Sequence, residues 1–373
     1  MRGLHRVLAP VCVLLLTACA GHLRRPAKPL PPSLGPAIPT TTQVPGKFSV
    51  PGLPTGVWAR MRARFTMPGC DASPDIAYWA RRFTQRPRRF EHYLREHLPT
   101  VVYVEHATEK AHVAAEFTFL PWVESRYRAV PPWHHRSAGM WQIVPITART
   151  LKLPIEHDYD GRLDRIAATA AVMKMLRSYH RRWQDWRLVD MAYNAGQYRI
   201  RSLHPQGPAP AKPAIPDLAV SRITHEHLAK LLGMACVVRN PSRFHVHLPA
   251  PDPSRRLTEV DLPYPVTLDA IAHASGASRT QVRNLNAAYL HGRMPGNGPW
   301  HVLLPEQAAT KLRAAIAAAA LPRQPATYTV VPGDSLWQIA HRHGLSVGEL
   351  RRLNHLHSNT LHPGQVLFIE TGK

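Results

Sequence analysis

Cysteine is scarce in this 373-residue chain: four residues, too few to staple a small coreless fold with disulfides. Acid is scarce too, with 24 Asp plus Glu against 47 Lys plus Arg, for a net charge of +23 with neutral histidines. No segment reaches about 18 consecutive apolar residues, so no transmembrane helix is expected. With 45% hydrophobic and 19% charged residues, wholesale disorder is excluded, and the length suffices for two or three domains. Proline is plentiful at 37 residues, which argues against one uniform compact domain.

Arg2 and Arg6 precede an apolar run over residues 7–16, long enough for the core of a signal peptide and too short to span a bilayer. The run closes on Leu16, Thr17, Ala18 and Cys19, which resembles the lipobox of bacterial lipoproteins. That resemblance implies removal of residues 1–18 and lipidation of the Cys19 thiol; an ordinary cut at Ala18 or Ala20 is the other reading. Ala20, rather than aspartate, follows the cysteine, which implies a periplasmic protein anchored to the inner leaflet of the outer membrane. Residues 19–56 carry a proline every few positions, which removes the amide donors a helix or central strand needs and leaves a semi-rigid tether. Cys12 departs with the signal peptide, whereas Cys70 and Cys236 either pair or stay as two buried thiols.

Residues 57–250 read as a mostly α domain. The strings IAYWARRFTQ, RRFEHYLREHL, TEKAHVAAEFTFL, RIAATAAVMKMLRSYHRRW and THEHLAKLLGMACVV repeat apolar residues at spacings of three and four, the helical period. Pro99, Pro121, Pro132 and Pro145 punctuate them, and residues 204–216 form a surface loop within the domain. Glu124 follows the apolar run FLPWV. A lone glutamate is ordinarily a surface or capping residue, but one held among apolar and aromatic groups has a raised pKa suited to protonating a poor leaving group.

Three motifs follow in order: Glu124 with Ser125; Gly139, Met140, Trp141 and Gln142; and Ala192, Tyr193, Asn194, Ala195 and Gly196. With fifteen residues from Glu124 to Gly139, they resemble the lytic transglycosylases with a goose-type-lysozyme-like domain, most closely the membrane-bound D type, over residues 72–247. The resemblance implies a lysozyme-like helical fold with Glu124 as the single catalytic acid/base. It further implies that Ser125, Met140, Gln142, Tyr193 and Asn194 bind the substrate, Tyr193 with a hydroxyl able to polarise Glu124. Packing of the cleft wall is the other reading of Met140 and Trp141. The implied reaction cleaves the MurNAc-GlcNAc β-1,4 bond and leaves 1,6-anhydro-MurNAc ends. Glu116, Glu156, Asp158, Asp160 and Asp164 are available as the second carboxylate that ordinary glycosidases use, yet the resemblance assigns the chemistry to Glu124 alone. Trp133 and Arg136, in place of small turn residues, and Gln197, in place of an acid, depart from the family pattern. Both departures bear on substrate range and rate.

The histidine pairs His134 and His135, His225 and His227, and His245 and His247 lack the H-E-x-x-H spacing. They are read as surface or satisfied core histidines, and neither metal nor cofactor is expected.

Residues 326–371 run strand, helix, helix, strand and resemble a LysM module, an α+β (βααβ) fold. By that resemblance Gly333, Asp334, Ser335 and Leu336 form one rim of a glycan groove, and Leu361, Pro363 and Gly364 lie on the other. Residues 268–286 align without gaps on residues 336–354 with nine of nineteen identical, so residues 260–305 are a degenerate second copy. That copy has the segment Leu262, Pro263, Tyr264, Pro265 and Val266 in place of the glycine-aspartate rim, and the Ala-rich residues 306–325 are a linker helix. The whole reads as a lipid-anchored enzyme acting on peptidoglycan glycan strands, with a non-catalytic peptidoglycan-binding lipoprotein as the alternative. Nucleic acid is set aside because an exported basic protein meets acidic wall and lipid surfaces instead.

Overall fold

The computed structural model describes residues 56–133 and 136–369. The signal segment, Cys12, Cys19, nearly all of the tether and the pair His134 and His135 lie outside the described residues. Among those described, no helix is long and apolar enough to cross a membrane.

Helices α1 (Val57–Ala63), α2 (Pro74–Phe83), α3 (Pro87–Lys110), α4 (Leu120–Ser125), α5 (Pro145–Thr150), α6 (Arg165–Trp183), α7 (Trp186–Ala195), α8 (Gln197–Leu203) and α9 (Arg222–Arg239) build the helical body. Their ends follow local chemistry. Asp164 caps α6 by accepting from the amides of Ile166 and Ala167, and His180, Arg181 and Arg182 close it, which suits the partial charges at the two ends of a helix.

Two expectations are revised. Pro99 does not end a helix, because α3 runs through it; Leu94, Leu98, Val101 and Val104 are buried along its stripe, and that packing offsets the roughly 3 kcal/mol an internal proline costs. Nor is TEKAHVAAEFTFL one helix. The α3 helix ends at Lys110, His112 turns with φ 51°, and a 3-10 turn over Ala115–Phe119 leads into α4. Every residue of that turn is buried, so its apolar content fills a core on all sides rather than one helical face.

The centre of the body is α9, buried at every position from 228 to 238 except Lys230. Helix α2 crosses it at Gly233, where an added Cβ would lie 2.9 Å from the Trp79 Cβ and 3.1 Å from the Ala80 amide nitrogen. Cys236 of α9 forms a disulfide with Cys70, their Cα atoms 5.1 Å apart. The loop over residues 204–216 is lashed to α7: Arg187 donates to the carbonyls of Ala209, Pro210, Ala211 and Pro213 and pairs with Asp185 at 2.6 Å. Ala209 and Ala214 are buried beneath it.

Two βααβ units follow. The first contains β1 (Leu257–Asp261), α10 (Leu268–Ser275), α11 (Arg279–Leu285) and β2 (His301–Pro305), with β1 and β2 antiparallel. Helix α12 (Glu306–Ala317) lays Ala308, Ala309 and Leu312 into the same core, so the Ala-rich helix is packed against this unit. The second contains β3 (Thr327–Thr329), α13 (Leu336–Arg342), α14 (Val347–Leu353) and β4 (Val366–Phe368) around a small core of its own. The repeat extends to side chains. Asn286 donates to Leu303 O at 3.1 Å and accepts from Leu303 N at 2.7 Å, and Asn354 makes the same pair with Phe368 at 2.8 and 2.6 Å. Each asparagine thus stitches the end of the second helix to the last strand.

The first unit shares a core with the helical body: Ala138, Tyr159 and Leu163 pack with Val260, Leu268 and Tyr289. Tyr103 donates to Glu259 at 2.7 Å, and His301 lies 2.6 Å from Asp164.

Candidate active site

Glu124 sits in the last turn of α4, beyond which Arg126 and Tyr127 both take positive φ (55° and 58°) and turn the chain away. Its side chain keeps 17% exposure, so it is neither a free surface group nor walled in by apolar groups. Its Oε1 lies 3.1 Å from His227 Nε2, and His227 Nδ1 lies 3.0 Å from Asp190 Oδ2. Asp190 is fully buried on α7 and His227 nearly so on α9. Burial opposes a charged imidazole, but Asp190 and Glu124, through charge and hydrogen bonding, push the pKa of His227 up to about 10. At neutral pH it is therefore a cation, donating from Nδ1 to Asp190 and from Nε2 to Glu124.

The second motif forms the adjoining wall. Ser125 is buried, and its hydroxyl donates to Met140 O at 2.8 Å, tying α4 to that segment. Gly139 has φ 77°, and a Cβ there would fall 1.9 Å from Arg162 O, so no other residue fits. Gln142, at φ 48°, donates to Gly139 O at 2.8 Å and accepts from Ser137 at 2.9 Å. Met140 is buried, its sulfur 3.6 Å from the buried guanidinium of Arg165. The buried Trp141 donates to Thr169 at 3.0 Å.

The third motif ends α7. Tyr193 directs its hydroxyl to the Trp141 carbonyl, not to Glu124, and its ring lies parallel to that of His227 with centroids 6.4 Å apart. Burial and the nearby Glu124 and Asp190 carboxylates raise its pKa, so it stays a donor. Asn194 is exposed and accepts from Thr224 at 2.8 Å. Glu124, Ser125, Gln142, Tyr193 and Asn194 are thus gathered on α4, the segment after it, and α7, and Ser125 and Met140 serve as buried fastenings.

Sequence reasoning missed His227 and Asp190. Asp190 stands two residues before the Ala-Tyr-Asn motif, a position that invites inspection, but only the packing of α9 against α4 and α7 brings His227 to Glu124. The other carboxylates are engaged elsewhere: Glu116 with Arg239, Asp160 with Arg162, and Asp164 with His301 and Tyr159. A cavity of about 990 Å³ between α3, α6 and β1 contains none of the motif residues.

In the second βααβ unit Gly333 and Gly364 turn at φ 92° and 88°. The two rims meet where Gly364 N donates to Val330 O at 2.8 Å. Asp334 accepts from Val331 N and Tyr328, each at 2.8 Å, and these bonds lower its pKa. Ser335 caps α13 and Leu336 is core. Leu361 packs against that core, and Pro363 is exposed. Trp337 was not singled out from sequence; it is 64% exposed and stacks on His341 with centroids 5.2 Å apart.

Comparison with known proteins places three domains on the chain: a Transglycosylase SLT domain over residues 102–212, the LysM-like domain of lytic transglycosylase MltD over residues 256–320, and a LysM domain over residues 328–370. The chain is 30% identical over 288 residues to Membrane-bound lytic murein transglycosylase D of Escherichia coli (strain K12), which covers 74% of this chain and 64% of the relative. A Putative tributyltin chloride resistance protein of Alteromonas sp. (strain M-1) is 28% identical over 144 residues, 38% of this chain and 70% of that protein. The N-acetylmuramoyl-L-alanine amidase sle1 of Staphylococcus aureus (strain USA300) is 49% identical over 41 residues, 11% of this chain and 12% of its own. The chain spans less than two thirds of the length of the E. coli relative, and its SLT domain, MltD LysM-like domain and LysM domain follow in that order, which makes the chain similar to the MltD-type lytic transglycosylases.

Proposed function

We propose that the chain cleaves the β-1,4 bond between N-acetylmuramic acid and N-acetylglucosamine in peptidoglycan and leaves 1,6-anhydro ends. The observation that carries this reading is the partly exposed carboxyl group of Glu124, held at one oxygen by His227, which Asp190 holds in turn. No second carboxylate contacts it among the described residues. The protonated Glu124 gives its proton to the glycosidic oxygen as the C1–O bond breaks. The Glu124 carboxylate then takes the proton of the muramic C6 hydroxyl as that oxygen attacks C1. An internal nucleophile needs no positioned water and gains a large effective molarity. His227 fits this cycle as a positioning residue: its charge at 3.1 Å stabilises Glu124 each time the proton leaves, and its hydrogen bond occupies Oε1, leaving Oε2 to the substrate. Asn194 and Gln142 are suited to the N-acetyl and hydroxyl groups of the sugars.

The C-terminal unit holds the enzyme on glycan strands through the turns at Gly333 and Gly364, with Asp334 and Ser335 ordering the first and Leu361 and Pro363 flanking the second; Trp337 offers a ring face to sugar. The first βααβ unit, without that rim, serves as a spacer. Removal of residues 1–18 and lipidation of Cys19 would anchor the chain in the cell envelope, at the periplasmic face of the outer membrane, with residues 19–56 as the reach.

Purified sacculi digested with the full chain, followed by mass spectrometry, test the reading. Anhydro-muramic ends, lost in Glu124→Gln, support it. Reducing ends make the protein a hydrolase, and bound but undigested sacculi make it a binding protein.

A further inference from the structure

The helical body and the first βααβ unit meet along a short backbone ladder. Asp160 N donates to Ala288 O and Leu290 N to Asp158 O, each at 3.0 Å, and Tyr159 stands opposite Tyr289 in an antiparallel bridge. Two positions along that register, His157 of the body faces His291 of the unit, their ring centroids 5.3 Å apart. Between them Asp158 places Oδ1 2.8 Å from His157 Nδ1 and 3.8 Å from His291 Nε2. One ligand atom from each of the three residues lies within 4.8 Å of the others.

Ligands about 2.1 Å from a tetrahedral zinc ion stand roughly 3.4 Å from one another, so the spacing here needs only small rotations of side chains to close on an ion. Two imidazoles and a carboxylate are a donor set that zinc and its first-row neighbours accept. The backbone beneath is already fixed by the ladder, which removes much of the ordering cost, and the three side chains are 36–56% exposed, leaving room for water as the remaining ligand. Arg293, whose charge also acts on Asp158, is turned to the Pro325 carbonyl at 2.9 Å.

We propose that His157, Asp158 and His291 bind a first-row divalent cation and that the ion clasps the helical body to the first βααβ unit. The two histidines are 134 positions apart in the chain, so no spacing motif announces them. The clasp would be the exchangeable part of a joint otherwise fastened by the backbone ladder and by the side-chain pairs Tyr103 with Glu259 and Asp164 with His301.

Zinc titration of the full chain against a chromophoric chelator tests the site, with amide hydrogen exchange as a second readout. One tight equivalent is expected in the unaltered chain, weakened by about tenfold or more in both His157→Ala and His291→Ala, and unchanged in His92→Ala, which removes an exposed histidine beside Glu96. Zinc should also slow exchange at the Asp160 and Leu290 amides in the unaltered chain alone. Absence of a tight equivalent, equal binding by all variants, or loss in only one of the two histidine variants overturns the clasp. So does binding that leaves those two amides unaffected.

Discussion

His227 donates from Nε2 to Glu124 Oε1 across 3.1 Å, joining α9 to α4 at the one point where the proposed chemistry happens. Its pKa in the folded protein is about 10, above the unfolded value near 6.5. Stabilisation from its charge is therefore complete below about pH 6.5 and is lost as pH rises toward 10. Thermal unfolding of the unaltered chain should show Tm declining across that window, and His227→Gln should remove that part of the decline. A His227→Gln variant should also lose about 10²-fold in kcat with little change in KM, because the carboxylate is no longer oriented. An identical Tm profile in both proteins would count against a charged His227.

Gly139→Ala should be severe although it touches no substrate. The new methyl group would collide with Arg162 O, at a φ of 77° that disfavours any side chain. A stability loss of about 1–3 kcal/mol is expected from the backbone strain, together with collapse of activity as the Met140 and Gln142 segment shifts. Denaturant unfolding and sacculus digestion measure the two effects separately.

The Cys70–Cys236 bridge closes a segment of 166 residues. Cys70→Ser, or reduction of the native protein, should cost about 2–5 kcal/mol, read as a fall in Tm under reductant. Full alkylation of the native, unreduced chain would show that the bond does not form in solution.

His301 and Asp164 give the joint its own pH signature. Despite burial, which acts the other way on each, their hydrogen bond and mutual charge lower the pKa of Asp164 and raise that of His301. Asp164 contributes above the unfolded carboxyl value near 3.9 and loses its contribution as pH falls through the lower folded value. His301 contributes below about 6.5 and loses its contribution as pH rises through the higher one. Between roughly pH 4 and 6.5 the pair is at full strength, so proteolysis at the joint should be slowest there. His301→Ala should flatten that minimum.

Much of this was legible because burial imposes a period. The string RIAATAAVMKMLRSYHRRW coincides with α6, and THEHLAKLLGMACVV with the interior of α9. The three motifs announced Glu124, Gln142 and Asn194 because each lies on a short local element whose chemistry is visible in one string. Pro99 and the buried 3-10 turn were misread because there tertiary packing overrides the local rule. His227 could not be found for a related reason: its partners, Glu124 and Asp190, are 103 and 37 residues away, and only the crossing of helices makes them neighbours.

Asn286 and Asn354 bear on the proposal that one unit grips glycan while its copy serves as a spacer. The shared asparagine bonds only to its own helix and to the last strand, and the rim turns, where the copies diverge, take no part in those bonds. Holding the shape and the proposed grip on sugar thus fall to separate residues. After duplication one copy is free to drift at its rim into a fixed structural joint without ever passing through an unfolded intermediate.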